Sequence, residues 1–96
     1  MDFSVVYHKS KSFVEKSIGD EKVLVPLSDN VADMNHVFTL NDVAAFIFEQ
    51  VDGVRSVTDI FNLLLEEYNV SAEIVKKDIE LFITDSVNRG VLFTKQ

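Results

Sequence analysis

The chain has 96 residues, 47% hydrophobic and 26% charged, with a formal net charge of −7 and no cysteine. That length suits one domain with a single core and is too short for two, while the missing cysteines exclude disulfide scaffolds, thiolate chemistry and the commonest structural zinc sites. No apolar run approaches the roughly 20 residues that span a bilayer, and the start "MDFSVVYHKSK" lacks the basic-then-apolar order of a secretion signal, so a soluble cytoplasmic protein is expected.

In chain order, the first forty residues read as sheet. "SFVEKSI" (12–18) and "KVLVPL" (22–27) are β-rich runs separated by "GDE", in which Gly19 can take the positive φ of a tight turn. Pro26 marks the end of the second strand, and the polar, turn-forming "SDNVADM" (28–34) leads on. A third strand is expected over Asn35 to Leu40, which carries β-branched Val37 and Thr39 beside apolar Phe38 and Leu40. It runs straight into a helix at Asn41. If no later strand pairs with it, one of its edges carries unsatisfied backbone N–H and C=O groups that must be covered, blunted or used.

The remainder reads as three helices, over about 41–52, 56–69 and 71–89. Asn41 caps the first, whose apolar positions Val43, Ala44, Phe46, Ile47 and Val51 recur at helical spacing, and Gly53 is the expected left-handed stop. Ser56 with Asp59 forms a capping box for the second, and Val57, Ile60, Phe61, Leu64, Leu65 and Tyr68 make its apolar stripe. Ser71 opens the third, which turns Val75, Ile79, Phe82, Ile83 and Ser86 to the core and stops at Gly90; the tail "VLFTKQ" is expected to pack back. At about 100° per residue, Ile74, Asp78, Leu81 and Asp85 form a second line on the third helix, beside its core face. That line widens the core stripe or walls a groove for a partner. The fold class expected is α+β, with three antiparallel strands followed by three helices.

Charge and motifs narrow the function. Residues 1–40, 41–70 and 71–96 carry net charges of −2, −5 and 0, a surface that repels nucleic acid and anionic membranes. His8 and His36 lie in different segments without metal-ligand spacing, and three glycines leave no phosphate-binding loop, so neither a metal nor a cofactor is expected. Glu66 with Glu67 and Asp20 with Glu21 read as solvating charge, unlike a buried catalytic pair. "DSV" (85–87) resembles the serine motif of acyl carrier proteins, but Ser86 falls late in a helix and follows forty residues of sheet, whereas the carriers' serine opens a helix in an all-helical bundle.

Taken together, the hairpin "FVEKSIGDEKVLVPL", the strand-to-helix junction "FTLND", the elbow "FEQVDGVRSVTDIFNLLLEEYNV" with its DG-x-x-[ST]-V-x-[DE]-I pattern, and the last helix "VKKDIELFITDSVNRGVL" resemble the coenzyme PQQ synthesis protein D family. The resemblance spans nearly the whole chain. It implies a winged-helix-like domain that recognises the leader of a ribosomally made precursor peptide and hands it, without catalysis of its own, to a modifying enzyme, by family analogy a radical S-adenosylmethionine enzyme. It further implies that the leader adds as a strand beside Asn35, His36, Val37, Phe38, Thr39 and Leu40, in a cleft walled by Ile74, Asp78 and Leu81 with Lys77 at the rim. Whether Val37 and Thr39 or His36 and Phe38 point their N–H groups outward is open in the sequence, and the same edge permits a homodimer or domain swap. A winged-helix nucleic-acid binder and an acyl-carrier-like protein are the readings from other classes.

Overall fold

The computed structural model describes residues 1–27 and 37–95, so the turn segment 28–34 and the expected strand residues Asn35 and His36 lie outside the described residues. Its elements, in order, are β1 (His8–Lys9), β2 (Phe13–Ile18), β3 (Glu21–Pro26), β4 (Phe38–Leu40), α1 (Asp42–Gln50), α2 (Val57–Glu67), α3 (Ala72–Asn88) and β5 (Leu92–Phe93). A three-stranded antiparallel sheet in the order β2-β3-β4 precedes the helices, as the sequence leads one to expect. β1 and β5 add an antiparallel ribbon that the sequence pattern did not suggest.

The hairpin forms because Gly19, at φ 62, opens a two-residue turn, while Asp20 stays at negative φ as in a type II′ turn. Its tip projects into solvent, with Ile18 64% exposed, in the manner of a wing. β3 is the central strand and carries Leu24 into the core; β4 adds Leu40, and together they meet the helices.

Each helix starts where a side chain satisfies the free N–H groups of its first turn. Asn41 Oδ1 accepts from the Ala44 amide at 2.8 Å, and Ser71 Oγ from Ile74 at 3.4 Å. Ser56 and Asp59 complete the reciprocal capping box at 3.2 and 3.0 Å. The two remaining amides of that turn, Val57 and Thr58, donate to the carbonyls of Val5 and Phe3, so the N-terminal segment is strapped across the start of α2. At the far end, α3 closes in a full Schellman motif: Gly90, at φ 78, donates to Val87 and Val91 donates to Ser86.

The core gathers Val57, Ile60 and Leu64 of α2 with Val75, Ile79 and Ile83 of α3, all nearly inaccessible. Each such side chain contributes about 1.5 to 3 kcal/mol through burial. On α1 the buried set is Ala45, Ile47 and Phe48. Val43, Ala44 and Phe46 are half-buried and packed against the core from its margins.

The elbow between α1 and α2 differs from its expected form. α1 ends at Val51, which is extended, so Gly53 is not its left-handed cap. Gly53 takes φ 80 within the turn that follows, where the Asp52 carboxylate accepts from the amides of Val54 and Arg55 at 2.9 and 2.8 Å and pairs with the Arg55 guanidinium. Those backbone N–H groups, with Arg55 itself, hold the Asp52 carboxyl below its ordinary range. A Cβ on Gly53 would also lie 2.7 Å from the His8 ring. Gly53→Val therefore meets both a forbidden backbone region and a ring that must move. We expect it to lose at least roughly 1 to 3 kcal/mol of stability, measured as a lowered melting temperature; a variant melting with the wild type would overturn this account of the elbow.

Candidate functional site

Which face of β4 is open follows from hydrogen-bond parity. In an antiparallel ladder, residues opposite one another alternate between pairs that exchange both backbone hydrogen bonds and pairs that exchange none. Leu27 donates to Ser12 at 2.7 Å, so, extending the register Phe13↔Pro26 by one step, Ser12 and Leu27 are a bonded pair. The same parity makes Ile18 and Glu21 bonded, as closure of a two-residue turn requires. Odd-numbered residues of β3 thus face β2 through their backbone, and Lys22 and Leu24 face β4. Their partners are Leu40 and Phe38.

Phe38 and Leu40 therefore commit their N–H and C=O groups to β3, and Thr39 directs both of its own to the free edge. Val37, one step before the strand on the same parity, is 37% exposed. Pro26 fits this scheme: its missing N–H would have pointed toward the β4 side, beyond Leu24, the last residue paired with β4 among the described residues. The side chains alternate accordingly, with Leu40 buried, Phe38 half-buried and Thr39 exposed.

Beside this edge runs a groove of about 530 Å³ between α1 and α3. Asn41, Val43, Ala44 and Ile47 form its α1 side, and Asp78, Leu81, Phe82 and Asp85 its α3 side. Leu81 is 62% exposed and Ile74, further up the same flank, 54%. The second line on α3 is therefore not an extension of the core stripe: its apolar members face outward while Val75, Ile79 and Ile83 fill the core. The structure brings Asp78 and Leu81 into the groove and leaves Ile74 and Lys77 outside its lining.

A tie joins the groove to the strand. Arg89, just past α3, donates through Nε to both oxygens of Asp85 at 3.1 and 3.0 Å, and its guanidinium lies 4.7 Å from the centre of the Phe38 ring. The Arg89 side chain thereby links the C-terminal end of α3 to Phe38 of β4. Arg89, Phe82, Val43 and Ala44 were not identified as site residues from the sequence. Phe82, Val43 and Ala44 carried core signals, and the Arg89 contact with Phe38 is too distant in sequence to leave any.

Ser86 bears on the carrier-like motif. Its side chain is fully buried and its hydroxyl has no hydrogen-bond partner among the described residues, so no transferase reaches it without opening the helix. Nor does any group of three or more His, Asp or Glu among the described residues stand where it could hold a metal ion. No described helix is long and apolar enough to cross a membrane.

A β4 edge that no described strand occupies, a flanking helix with an exposed apolar line and a projecting hairpin define a small winged-helix-like α+β domain. The family model described as Coenzyme PQQ synthesis protein D (PqqD) matches residues 21–92, three quarters of the chain, and the protein belongs to that family. Two solved structures share the fold, each with a TM-score of 0.73. One is TbiB1 in complex with the TbiA(beta) leader peptide, 24% identical over 93% of this chain and 98% of that one. The other is lasso peptide synthetase B1 complexed with the leader peptide, 21% identical over 91% and 96%. A search of curated proteins finds no match.

Two expectations test this geometry without a ligand. In the free protein the Thr39 amide exchanges with deuterium markedly faster than those of Phe38 and Leu40; reversed protection would mean the opposite parity. Ser86→Ala raises the melting temperature, relieving up to about 1 to 3 kcal/mol of uncompensated desolvation, and a clear loss of stability would show that the hydroxyl has a partner.

Proposed function

We propose that the protein is a non-catalytic recognition domain that holds the leader of a ribosomally made precursor peptide as an added strand on β4, against α3, and presents the rest of that peptide to a modifying enzyme. The observation that carries this reading is the outward backbone of Thr39 beside an apolar groove. Main-chain hydrogen bonds to Thr39 tolerate many guest sequences, and the groove side chains select among them. Leu81, Phe82, Val43 and Ala44 offer apolar contact, while Asp78 and the Asp85–Arg89 pair add charge at the α3 wall. Val37 lies just before β4 on the same parity as Thr39, and Ile74 and Lys77 lengthen the wall for a longer guest; Asn35 and His36, outside the described residues, complete the set that the family's analogy assigns to the guest.

Both solved proteins of the same fold hold leader peptides, and membership of the coenzyme PQQ synthesis protein D family supports the same role here. By that family's analogy the modifying enzyme is a radical S-adenosylmethionine enzyme, and the site of action is the cytoplasm. The whole chain serves as one domain in this role. Nucleic acid is a poor occupant, because a surface of net charge −7 repels phosphates. A homodimer pairing edge to edge would use the same Thr39 backbone, so self-pairing and guest binding exclude each other.

The test is calorimetric titration with the peptide encoded by the short reading frame nearest to this gene. Thr39→Pro removes an outward donor and clashes with the guest, and we expect affinity to fall at least roughly tenfold with little change in melting. Leu81→Asp weakens binding by about 1 to 3 kcal/mol through lost apolar contact and a newly desolvated charge. Unchanged affinity in both variants would place the guest elsewhere.

A further inference from the structure

A second groove, of about 520 Å³, opens at the other end of α1, between that helix and the β1–β5 ribbon. Its lining includes His8, Lys9, Lys11, Phe93 and Lys95, with Gly53 at the elbow. The chain has 9 basic and 16 acidic residues, yet three of those lysines meet here. The acid in the lining, Asp52, is already engaged by Arg55 and two backbone amides. None of the three lysines forms an ion pair among the described residues. Lys9 instead rests with its ammonium 4.4 Å from the centre of the Phe48 ring. In the same groove Phe93 is 41% exposed, and His8 stacks on it with ring centres 5.5 Å apart. The surface thus combines local positive charge with an apolar plate, in a protein whose remaining charge is strongly negative.

We propose that this groove is a docking surface for an acidic segment of a partner protein, one that sets carboxylates against Lys9, Lys11 and Lys95 and an apolar side chain on Phe93. Charge complementarity selects that occupant over extended polyanions. Setting the three lysines aside leaves six bases against 16 acids, so a nucleic acid or an anionic bilayer that reached the patch would also meet the repelling surface around it. A short acidic segment fits within the patch. The groove adjoins Val51, Asp52 and Gly53, whereas the α1–α3 groove adjoins Asn41, Val43, Ala44 and Ile47. No residue lines both, so both can be filled at once. If the protein delivers a peptide as proposed above, the acidic segment belongs to the enzyme that receives it; that identification alone rests on the delivery role.

The probe is a synthetic octapeptide of Glu and Asp with one central Phe, titrated into the ¹⁵N-labelled full chain and followed by amide shifts. Expected are shifts at residues 8–11, 51–53 and 92–95, an affinity that falls as salt rises, and loss of at least roughly tenfold in Lys11→Glu/Lys95→Glu. That variant exchanges two exposed side chains and keeps the wild-type melt and its affinity for the neighbouring-gene peptide. Absence of shifts at the ribbon, or shifts confined to β4 and α3, overturns the proposal. So does tighter binding of duplex DNA or phosphatidylglycerol vesicles at the same residues. If the octapeptide binds the ribbon and the neighbouring-gene peptide fails to bind β4, the docking surface stands and the leader-binding reading falls.

Discussion

The alternation of backbone direction along β3 governs the rest of the molecule. β3 has a neighbour on each side, so each of its residues bonds to one neighbour or the other, and the choice is made by the two-residue turn at Gly19 and Asp20. Once Ile18 and Glu21 close that turn, Lys22 and Leu24 must serve β4, and Thr39 is left facing outward. A turn some twenty residues away in sequence thus decides which amide the domain can offer. A bulge in the hairpin would reverse the parity and turn Leu40, which fills the core, toward the wrong face.

α1 transmits this constraint to everything else. Asn41 follows β4 directly and caps the helix through the Ala44 amide, so no loop intervenes between the strand and α1. The helix is nine residues long, short enough that a groove lies at each end. Its inner side, Ala45, Ile47 and Phe48, is fixed in the core, while Phe48 also presents its ring to Lys9. One side chain thus belongs to the packing of the domain and supports a lysine of the ribbon groove.

Much of this was legible in the sequence, for local reasons. The caps at Asn41, Ser56 and Ser71, the stop at Gly90 and the hairpin at Gly19 each depend on a few adjacent residues whose chemistry has few alternatives. The line Ile74, Asp78, Leu81 and Asp85 was legible because α3 is long and regular enough for its period to separate two flanks, but whether it widened the core or faced outward depended on packing against α1. The β1–β5 ribbon was not, since strands of two residues have no period to detect. Phe48 was overlooked because α1 is packed on more than one side, so apolar residues surround it and a single stripe is hard to choose. Thr39 could be named only with Phe38 as its rival, because strand parity depends on pairing between segments rather than on either segment alone. Asn35 and His36 lie outside the described residues, and their place at the edge rests on the proposed role.

Selectivity at the β4 edge has to come from side chains, since a main-chain ladder accepts most sequences. The wall that supplies it is asymmetric. Toward its middle it offers Leu81 and half-buried Phe82, while at one end Asp85 is held by Arg89 and Arg89 lies over Phe38. These three residues couple the helix to β4, the strand proposed to pair with a guest. A guest side chain that competed for Asp85 would release Arg89 and uncover the ring of Phe38, exchanging one charge pair for another in an exposed setting where such pairs contribute at most about 1 kcal/mol. An apolar guest residue on Leu81 would instead remove apolar surface from water at about 25 cal/mol per Å² with no existing contact to displace. On the proposed binding mode, apolar contact at Leu81 and Phe82 therefore dominates what the groove selects, and the Asp85–Arg89–Phe38 tie chiefly links the end of α3 to β4.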